Sequence, residues 1–110
     1  MTLKTNLKDQ VALVTGASSG IGRGVASALA ESGCHVFINY PSFERSNNAA
    51  SVMTEIENNG GSASLAVGDV RKESEVAAMF DQIAAEAGRL DILVNNAGIA
   101  RSAPIQDIRL

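Results

Sequence analysis

Three glycines and two serines within seven consecutive residues could together bind a phosphate group: Gly16, Gly20 and Gly22, with Ser18 and Ser19. They follow the apolar run Val-Ala-Leu-Val, so a short strand leads into a glycine-rich turn that opens a helix. Glycines let the backbone approach a pyrophosphate closely, and a helix start directs N–H groups and a positive dipole end at an anion. The spacing, Gly-x-x-x-Gly-x-Gly, differs from the general Gly-x-Gly-x-x-Gly fingerprint. A strand–helix connection without a ligand is the alternative, and the position directly between a strand and a helix favours the phosphate site.

Strand and helix patterns alternate along the rest of the chain. The apolar strand runs are nearly continuous, which is typical of a parallel sheet covered on both faces. We predict an α/β fold, the N-terminal half of a doubly wound (Rossmann) parallel sheet, β-α-β-α-β-α-β, with strand order 3-2-1-4. The predicted strands are 11–15, 35–39, 64–68 and 91–95, and the predicted helices are about 20–32, 46–58 and 73–87.

Apolar spacing predicts which side of each helix faces the sheet. The expected inward residues are Ile21, Val25, Ala28 and Leu29 in the first helix, Ala49, Val52, Met53 and Ile56 in the second, and Val76, Met79, Phe80, Ile83, Ala84 and Ala87 in the third.

The strand order predicts an incompletely covered sheet. The first two crossovers step the same way and place two helices on one face, whereas the third steps back and places one helix on the other. Strand 4 would then be an open edge. We expect residues 1–110 to form a single, partial dinucleotide-binding domain, whose open face needs a C-terminal half or a homo-oligomer to cover it.

Composition excludes several classes of function. A net charge of −3 gives no basic surface for nucleic acid or for an anionic membrane. The single cysteine, Cys34, allows no disulfide framework, and the N-terminus has no long apolar segment, so we expect a cytoplasmic protein. Cys34 and the single histidine, His35, form no metal-binding or nucleophilic set; we expect a core filler and a partly buried surface residue.

Three motifs in order carry a family resemblance. They are Thr-Gly-Ala-Ser-Ser-Gly-Ile-Gly at 15–22, Asp69-Val70 after the third strand and Asn-Asn-Ala-Gly at 95–98. With the intervals between them, these motifs resemble the short-chain dehydrogenase/reductase family over nearly the whole chain. The resemblance is nearest to its 3-oxoacyl-carrier-protein reductase and glucose dehydrogenase-like members. It implies hydride transfer to a carbonyl or from an alcohol with a nicotinamide dinucleotide.

The resemblance also implies which residues bind the cofactor. It assigns the pyrophosphate and adenosine ribose to the glycine turn, the adenine ring to Asp69 and Val70, and a structural role to Asn95. Two alternatives stay open: Asp69 could be an N-cap of the third helix, and 95–98 could be a simple turn. The implied cofactor-binding residues are Gly16, Ser18, Ser19, Gly20, Ile21, Gly22, Asp69, Val70, Asn96, Ala97 and Gly98.

The end of the second strand bears on cofactor choice. An NAD site typically offers an acid there to hold the ribose hydroxyls, but this chain has Asn39 and Tyr40, which we add to the cofactor-binding candidates. Neither repels a 2′-phosphate, and Arg45 or Arg23 could pair with one. We therefore expect NADP(H) to be favoured over NAD(H). The alternative for each arginine is a solvated surface charge.

The catalytic residues of the family find no match here. The family uses a Ser, a Tyr and a Lys four residues after the Tyr, whereas the only tyrosine here, Tyr40, is followed four residues later by Glu44. No catalytic residue and no metal ligand is assigned. We expect a truncated oxidoreductase that is inactive alone. The alternative is a short non-catalytic nucleotide-binding or dimerising module.

Overall fold

A four-stranded parallel sheet forms the centre of the computed structural model, which describes residues 7–96. The strands are ordered β3-β2-β1-β4, so the predicted order 3-2-1-4 is confirmed. The elements are β1 (Val11–Val14), α1 (Gly20–Glu31), β2 (His35–Tyr40), a 3-10 turn (Phe43–Arg45), α2 (Ser46–Asn58), β3 (Ser62–Val67), α3 (Glu73–Ala87) and β4 (Ile92–Val94). The bounds of α2 and α3 match the prediction, and β3 begins two residues earlier because Ser62 pairs with His35 of β2.

The two faces of the sheet carry separate apolar cores. Helices α1 and α2 cover one face and α3 covers the other, as the crossover rule predicted. Leu13 and Phe37 face Met79 and Ile83 of α3 and are fully buried or nearly so. The all-apolar β1 is buried along its length because both of its sides are covered.

The predicted inward side of α1 was wrong in part. Ile21 is 73% exposed and Ala28 is also exposed. The residues that meet the sheet are Gly22, Ala26 and Ala30, at intervals of four. These small residues let the helix pack close to the strands. Close packing therefore sets the orientation of α1 more than burial of its larger apolar side chains does. The predictions hold for α2, while in α3 Ala84 is exposed.

Strand β4 pairs only with β1 within the described residues and is an edge of the sheet. Ile92 and Val94 pack against the core beneath α1 and α2. Leu93, which is level with Leu13 and points to the α3 face, is 43% exposed. The topology predicts an incompletely covered sheet, and the exposure of Leu93 places the uncovered part on the α3 face at β4. Within residues 7–96 no helix has the length and apolar character needed to cross a bilayer.

Candidate functional site

The turn between β1 and α1 is held by the end of the neighbouring strand β2. The backbone N–H of Gly16 donates to the side-chain oxygen of Asn39 at 3.1 Å, and the N–H of Ala17 donates to the Asn39 carbonyl at 3.0 Å. Gly16 has φ 61° and Gly20 has φ 59°, a backbone region that glycine adopts without the strain of a side chain. The path of the turn therefore depends on both its glycines and one buried asparagine.

Asn39 also reaches strand β3. Its side-chain nitrogen donates to the carbonyl oxygens of Ala66 at 3.1 Å and Gly68 at 3.0 Å, and it lies 3.3 Å from the sulfur of Met79. The residue is 2% exposed, and Tyr40 beside it is 5% exposed. Both residues are cofactor-binding candidates from the sequence, and that role stays a prediction. The structure directs both into the interior, because the amide of Asn39 is used by the turn and β3 and the ring of Tyr40 by the core.

The end of β4 is tied to the same turn through Thr15. The hydroxyl of this fully buried residue accepts the N–H of Asn96 at 2.8 Å and lies 3.3 Å from both the Val94 carbonyl and the Asn95 side-chain oxygen. The side-chain nitrogen of Asn96 donates to the carbonyl of Gly16 at 3.2 Å. Both asparagines therefore join β4 to the turn. The other two residues of the motif, Ala97 and Gly98, lie outside the described residues.

Gly22 is where the start of α1 packs onto the turn. A Cβ atom there would lie 2.3 Å from the Gly16 carbonyl oxygen and 2.6 Å from the side-chain nitrogen of Asn96. Such distances are too short for any side chain, so glycine is required for space. Gly24, one half-turn along the same helix, has nothing within 4 Å of that position.

The start of α1 is open to an anion. Its N-cap residue, Ser19, has extended backbone and makes no side-chain capping bond, and the first turn contains no acidic residue. Ser19, Gly20 and Ile21 are exposed, whereas Ser18 is buried. The first N–H groups of a helix have no partner within the helix, and here no acid compensates the positive end. An exposed, uncompensated helix start beside a glycine turn can bind a phosphate group.

Asp69 lies just beyond the end of β3, and its carboxylate is held by Arg71. One oxygen accepts the Arg71 backbone N–H at 2.9 Å and its Nε at 3.0 Å, and the other accepts a terminal guanidinium nitrogen at 2.8 Å. The Arg71 side-chain and backbone hydrogen bonds hold the pKa of Asp69 well below its usual range. The N-cap of α3 is Lys72, without a side-chain cap, so the interpretation of Asp69 as the N-cap was wrong. Val70, the second residue of the pair, is half-buried.

The two arginines considered for a 2′-phosphate differ in their surroundings. A terminal nitrogen of Arg23 in α1 is 2.9 Å from a carboxylate oxygen of Glu55 in α2, so this guanidinium joins two helices. Arg45 lies in the 3-10 turn that follows β2, is exposed, and forms no ion pair among residues 7–96. Exposed Glu44 adjoins it in the chain. Of the two, Arg45 is the guanidinium still open to a ligand.

Two contributions to the site were not identified in the sequence. The sequence places Thr15 at the end of a strand and Asn39 among the cofactor-binding candidates, and neither pattern predicts the interior hydrogen bonds that these residues form. The available signal was a polar residue directly after a buried apolar run, since such a group must find a hydrogen-bond partner in the interior. Among the described residues, no group of three or more His, Cys, Asp or Glu residues could hold a metal ion.

Comparison with known proteins gives matches along almost the whole chain. The family model described as short chain dehydrogenase matches residues 10–110. A 3-oxoacyl-[acyl-carrier-protein] reductase from Synechocystis sp. is 42% identical over 106 residues, which are 96% of this chain and 42% of the relative. The chain thus spans about two fifths of the length of this curated relative.

Solved structures agree with these matches. A dehydrogenase/reductase from Sinorhizobium meliloti 1021 superimposes with a TM-score of 0.82 at 36% identity, covering 97% of this chain and 42% of that one. A metagenomic short-chain oxidoreductase in complex with NADP gives a TM-score of 0.77 at 35% identity, covering 93% of this chain and 45% of that one.

Proposed function

The chain belongs to the short-chain dehydrogenase family, and we propose that it is the NADP(H)-binding part of an oxidoreductase that transfers hydride to a carbonyl or from an alcohol. The observation that carries this proposal is the glycine turn, held by Asn39 and Asn96 in front of an uncapped helix start. We propose further that residues 1–110 form one partial dinucleotide-binding domain. The bound nicotinamide would supply the hydride.

The residues of the turn fit a pyrophosphate. Gly22 lets the start of α1 pack directly against the Gly16 carbonyl and the Asn96 amide, and the exposed N–H groups at this helix start can donate to phosphate oxygens. We propose that the adenine lies near Asp69 and Val70, and that Asn96, Ala97 and Gly98 line the cofactor. The residues proposed to contact the phosphates and the adenosine ribose are Gly16, Ser18, Ser19, Gly20, Ile21 and Gly22.

The proposal for this chain is confined to cofactor binding. The single tyrosine, Tyr40, is 5% exposed in the core beneath α1 and α2, so it is not placed to exchange a proton with a substrate. No residue of the chain is assigned to proton transfer or to polarising the carbonyl. The substrate and the hydride-transfer step therefore belong to the proposed whole enzyme.

Two glycine substitutions in α1, one at a crowded position and one in open space, together test the proposed binding site. In Gly22→Ala the new methyl group would displace the Gly16 carbonyl or the Asn96 amide, and we expect at least about a tenfold loss of affinity for NADPH, which is about 1.4 kcal/mol. Gly24→Ala adds the same methyl group in open space, and we expect unchanged affinity and a helix stabilised by up to about 1 kcal/mol. Isothermal titration calorimetry measures the affinities. Equal NADPH affinities in the two variants would refute the assignment of the turn.

Cofactor preference is proposed to depend on Arg45. A guanidinium can bind a 2′-phosphate through two hydrogen bonds, and no acid at the end of β2 opposes that phosphate. We expect tighter binding of NADPH than of NADH, and Arg45→Gln should weaken NADPH binding while leaving NADH binding unchanged. Arg23→Gln is the control, since Arg23 already pairs with Glu55. Tighter binding of NADH by the wild-type chain would reverse the proposed preference.

A partner for β4 follows from the exposure of Leu93. We propose that further polypeptide of the same enzyme covers this side, since the relative that the chain matches is more than twice its length. A second copy of the chain is the alternative and would favour a non-catalytic dimerising module. Light scattering decides between them: a dimer that Leu93→Asp converts to a monomer would support the module.

A further inference from the structure

We propose that Asn39 is a positioning residue for dinucleotide binding, through which the phosphate-binding turn and the end of β3 keep one relative geometry. This inference rests on the proposed function. It adds a residue that lies in the interior and touches no ligand. The hydrogen bonds of its carboxamide group, in addition to its packing, position the turn.

The contacts of Asn39 join three consecutive strand ends. Its side-chain oxygen accepts the Gly16 N–H, at the turn after β1, and its side-chain nitrogen donates to the carbonyls of Ala66 and Gly68, at the end of β3. Its own backbone carbonyl accepts the N–H of Ala17. Two successive peptide groups of the turn are therefore oriented by one residue, which is 2% exposed and shielded from competing water.

Only a carboxamide satisfies all these partners. The site needs an acceptor for one N–H and a donor for two carbonyls, and asparagine provides both in one rigid planar group. Leucine, of similar size, would leave the Gly16 N–H and both carbonyls without this partner, which is costly in a buried place. An ionised aspartate would accept from Gly16 but would point a negative oxygen at the two carbonyls. Aspartate at Asn39 would therefore not create an NAD-type ribose contact, although the sequence position suggests one.

The consequence is a mechanical link between two halves of the proposed cofactor site. Gly68, whose carbonyl Asn39 holds, directly precedes Asp69, the residue proposed to lie near the adenine. Gly16 begins the turn proposed to hold the pyrophosphate. ADP-ribose contains both the adenine and the pyrophosphate, whereas adenosine lacks the pyrophosphate. Loss of the Asn39 amide should therefore weaken the binding of ADP-ribose more than that of adenosine.

The first experiment compares Asn39→Leu with Gln82→Leu in the 110-residue chain. Gln82 is the matched control because its amide nitrogen also donates to a β3 carbonyl, that of Leu65 at 2.8 Å, but from α3 and without contact to the turn. Calorimetric titration with ADP-ribose and with adenosine is done at a temperature where circular dichroism shows every variant folded. We expect ADP-ribose binding by Asn39→Leu to weaken about tenfold, with a smaller change for adenosine. Gln82→Leu should keep wild-type affinities. Equal ADP-ribose affinities in the two variants would overturn the inference.

Asn39→Asp keeps the experiment decisive if the leucine variant does not fold. A protonated carboxyl offers one acceptor and one donor, so it can keep the Gly16 bond and one of the two carbonyl bonds, whereas the ionised form has no donor for either carbonyl. Burial among carbonyl groups raises the pKa of such an acid. ADP-ribose affinity should therefore recover toward that of the wild type as the pH falls from about 8 to about 6. The wild-type affinity for ADP-ribose at each pH is the reference, because Asp69, Arg71 and Glu75 lie near the same strand end. A constant ratio of the two affinities across this range would contradict the inference.

Amide hydrogen exchange of Gly16 without ligand separates the inference from the proposed function. We expect protection of this N–H in the wild type and in Gln82→Leu, and its loss in Asn39→Leu. If the wild-type chain bound no dinucleotide while this pattern held, the proposed function would fail and the positioning of the turn by Asn39 would stand. Unchanged protection in Asn39→Leu would overturn the positioning role whatever the binding data showed.

Discussion

Polar side chains join neighbouring strands at both ends of the sheet, but in different ways. At the carboxyl end, Thr15 and Asn39 are buried and neutral, and each accepts a backbone N–H from a loop that follows a neighbouring strand. At the amino end, the chief groups are Asp91 and His35, which are ionisable and partly open to solvent. The carboxyl end determines where a turn and a helix start lie. The amino end joins strands and leaves no helix start open.

At the amino end of the sheet, the pair of Asp91 and Arg89 shows how charged groups join two strands. The carboxylate of Asp91 accepts the N–H of Val11 at 2.8 Å and two nitrogens of Arg89, each at 2.8 Å. The bond to Val11 joins the start of β1 to the residue that precedes β4, and Arg89, two residues earlier, holds the carboxylate in place. Because the same groups are exposed, water competes with these bonds, and we expect them to contribute modestly to stability. The difference teaches that buried neutral groups at one end position the site, while exposed charged groups at the other only hold the sheet.

The largest effect that separates the two ends is expected from Thr15→Val. Valine has the shape of threonine but removes the hydroxyl that accepts the half-buried N–H of Asn96, which keeps its 3.1 Å bond to the Val94 carbonyl. We expect a loss of about 0.5–1.5 kcal/mol in the free energy of unfolding, together with weaker NADPH binding. Urea denaturation and calorimetric titration measure the two. Thr15→Ser retains the hydroxyl and should keep the wild-type affinity; if it binds as poorly as the valine variant, the hydroxyl is not what positions β4.

A smaller effect, on stability alone, is expected from Asp91→Asn. The hydrogen bonds from Arg89, and then that from the Val11 N–H, lower the pKa of Asp91 below its ordinary value. A carboxyl whose pKa is lower in the folded state stabilises the fold while ionised, so its contribution is present above about pH 4 and is lost as the pH falls further. We expect the asparagine variant to be less stable at neutral pH and to lose less stability on acidification. A change in its NADPH affinity would contradict the expectation that groups at the amino end of the sheet affect stability and not cofactor binding.

The smallest effect is expected at His35. This ring bonds to the hydroxyls of Ser62 and Ser64 on β3, and burial lowers its pKa, with Glu86 acting in the opposite direction. A lowered pKa in the folded state means that protonation favours unfolding, so stability should fall slightly as the pH drops below about 6.5. His35→Gln should remove that slope without changing NADPH affinity. Thermal unfolding at several pH values measures it; an unchanged slope would exclude His35 as its source.

The fold was predictable to a large extent because its signals are local. Apolar runs and helical periodicity placed α2 and α3 at their observed bounds, and the parallel crossovers led to the strand order. The orientation of α1 was less predictable. Ile21 and Ala28 fit an apolar stripe, but the sheet selected Gly22, Ala26 and Ala30 because small residues permit close packing.

By itself, the sequence determined the order of the elements, the place of the glycine turn and the family, since each depends on residue types at short, regular spacings. Only the tertiary structure decided that Asn39 and Tyr40 point inward, that Asp69 is held by Arg71 and that Thr15 joins β4 to the turn. These outcomes depend on how buried polar groups separated by up to about 80 residues find partners once the strands lie side by side. Spacing along the chain does not show which groups will meet in space.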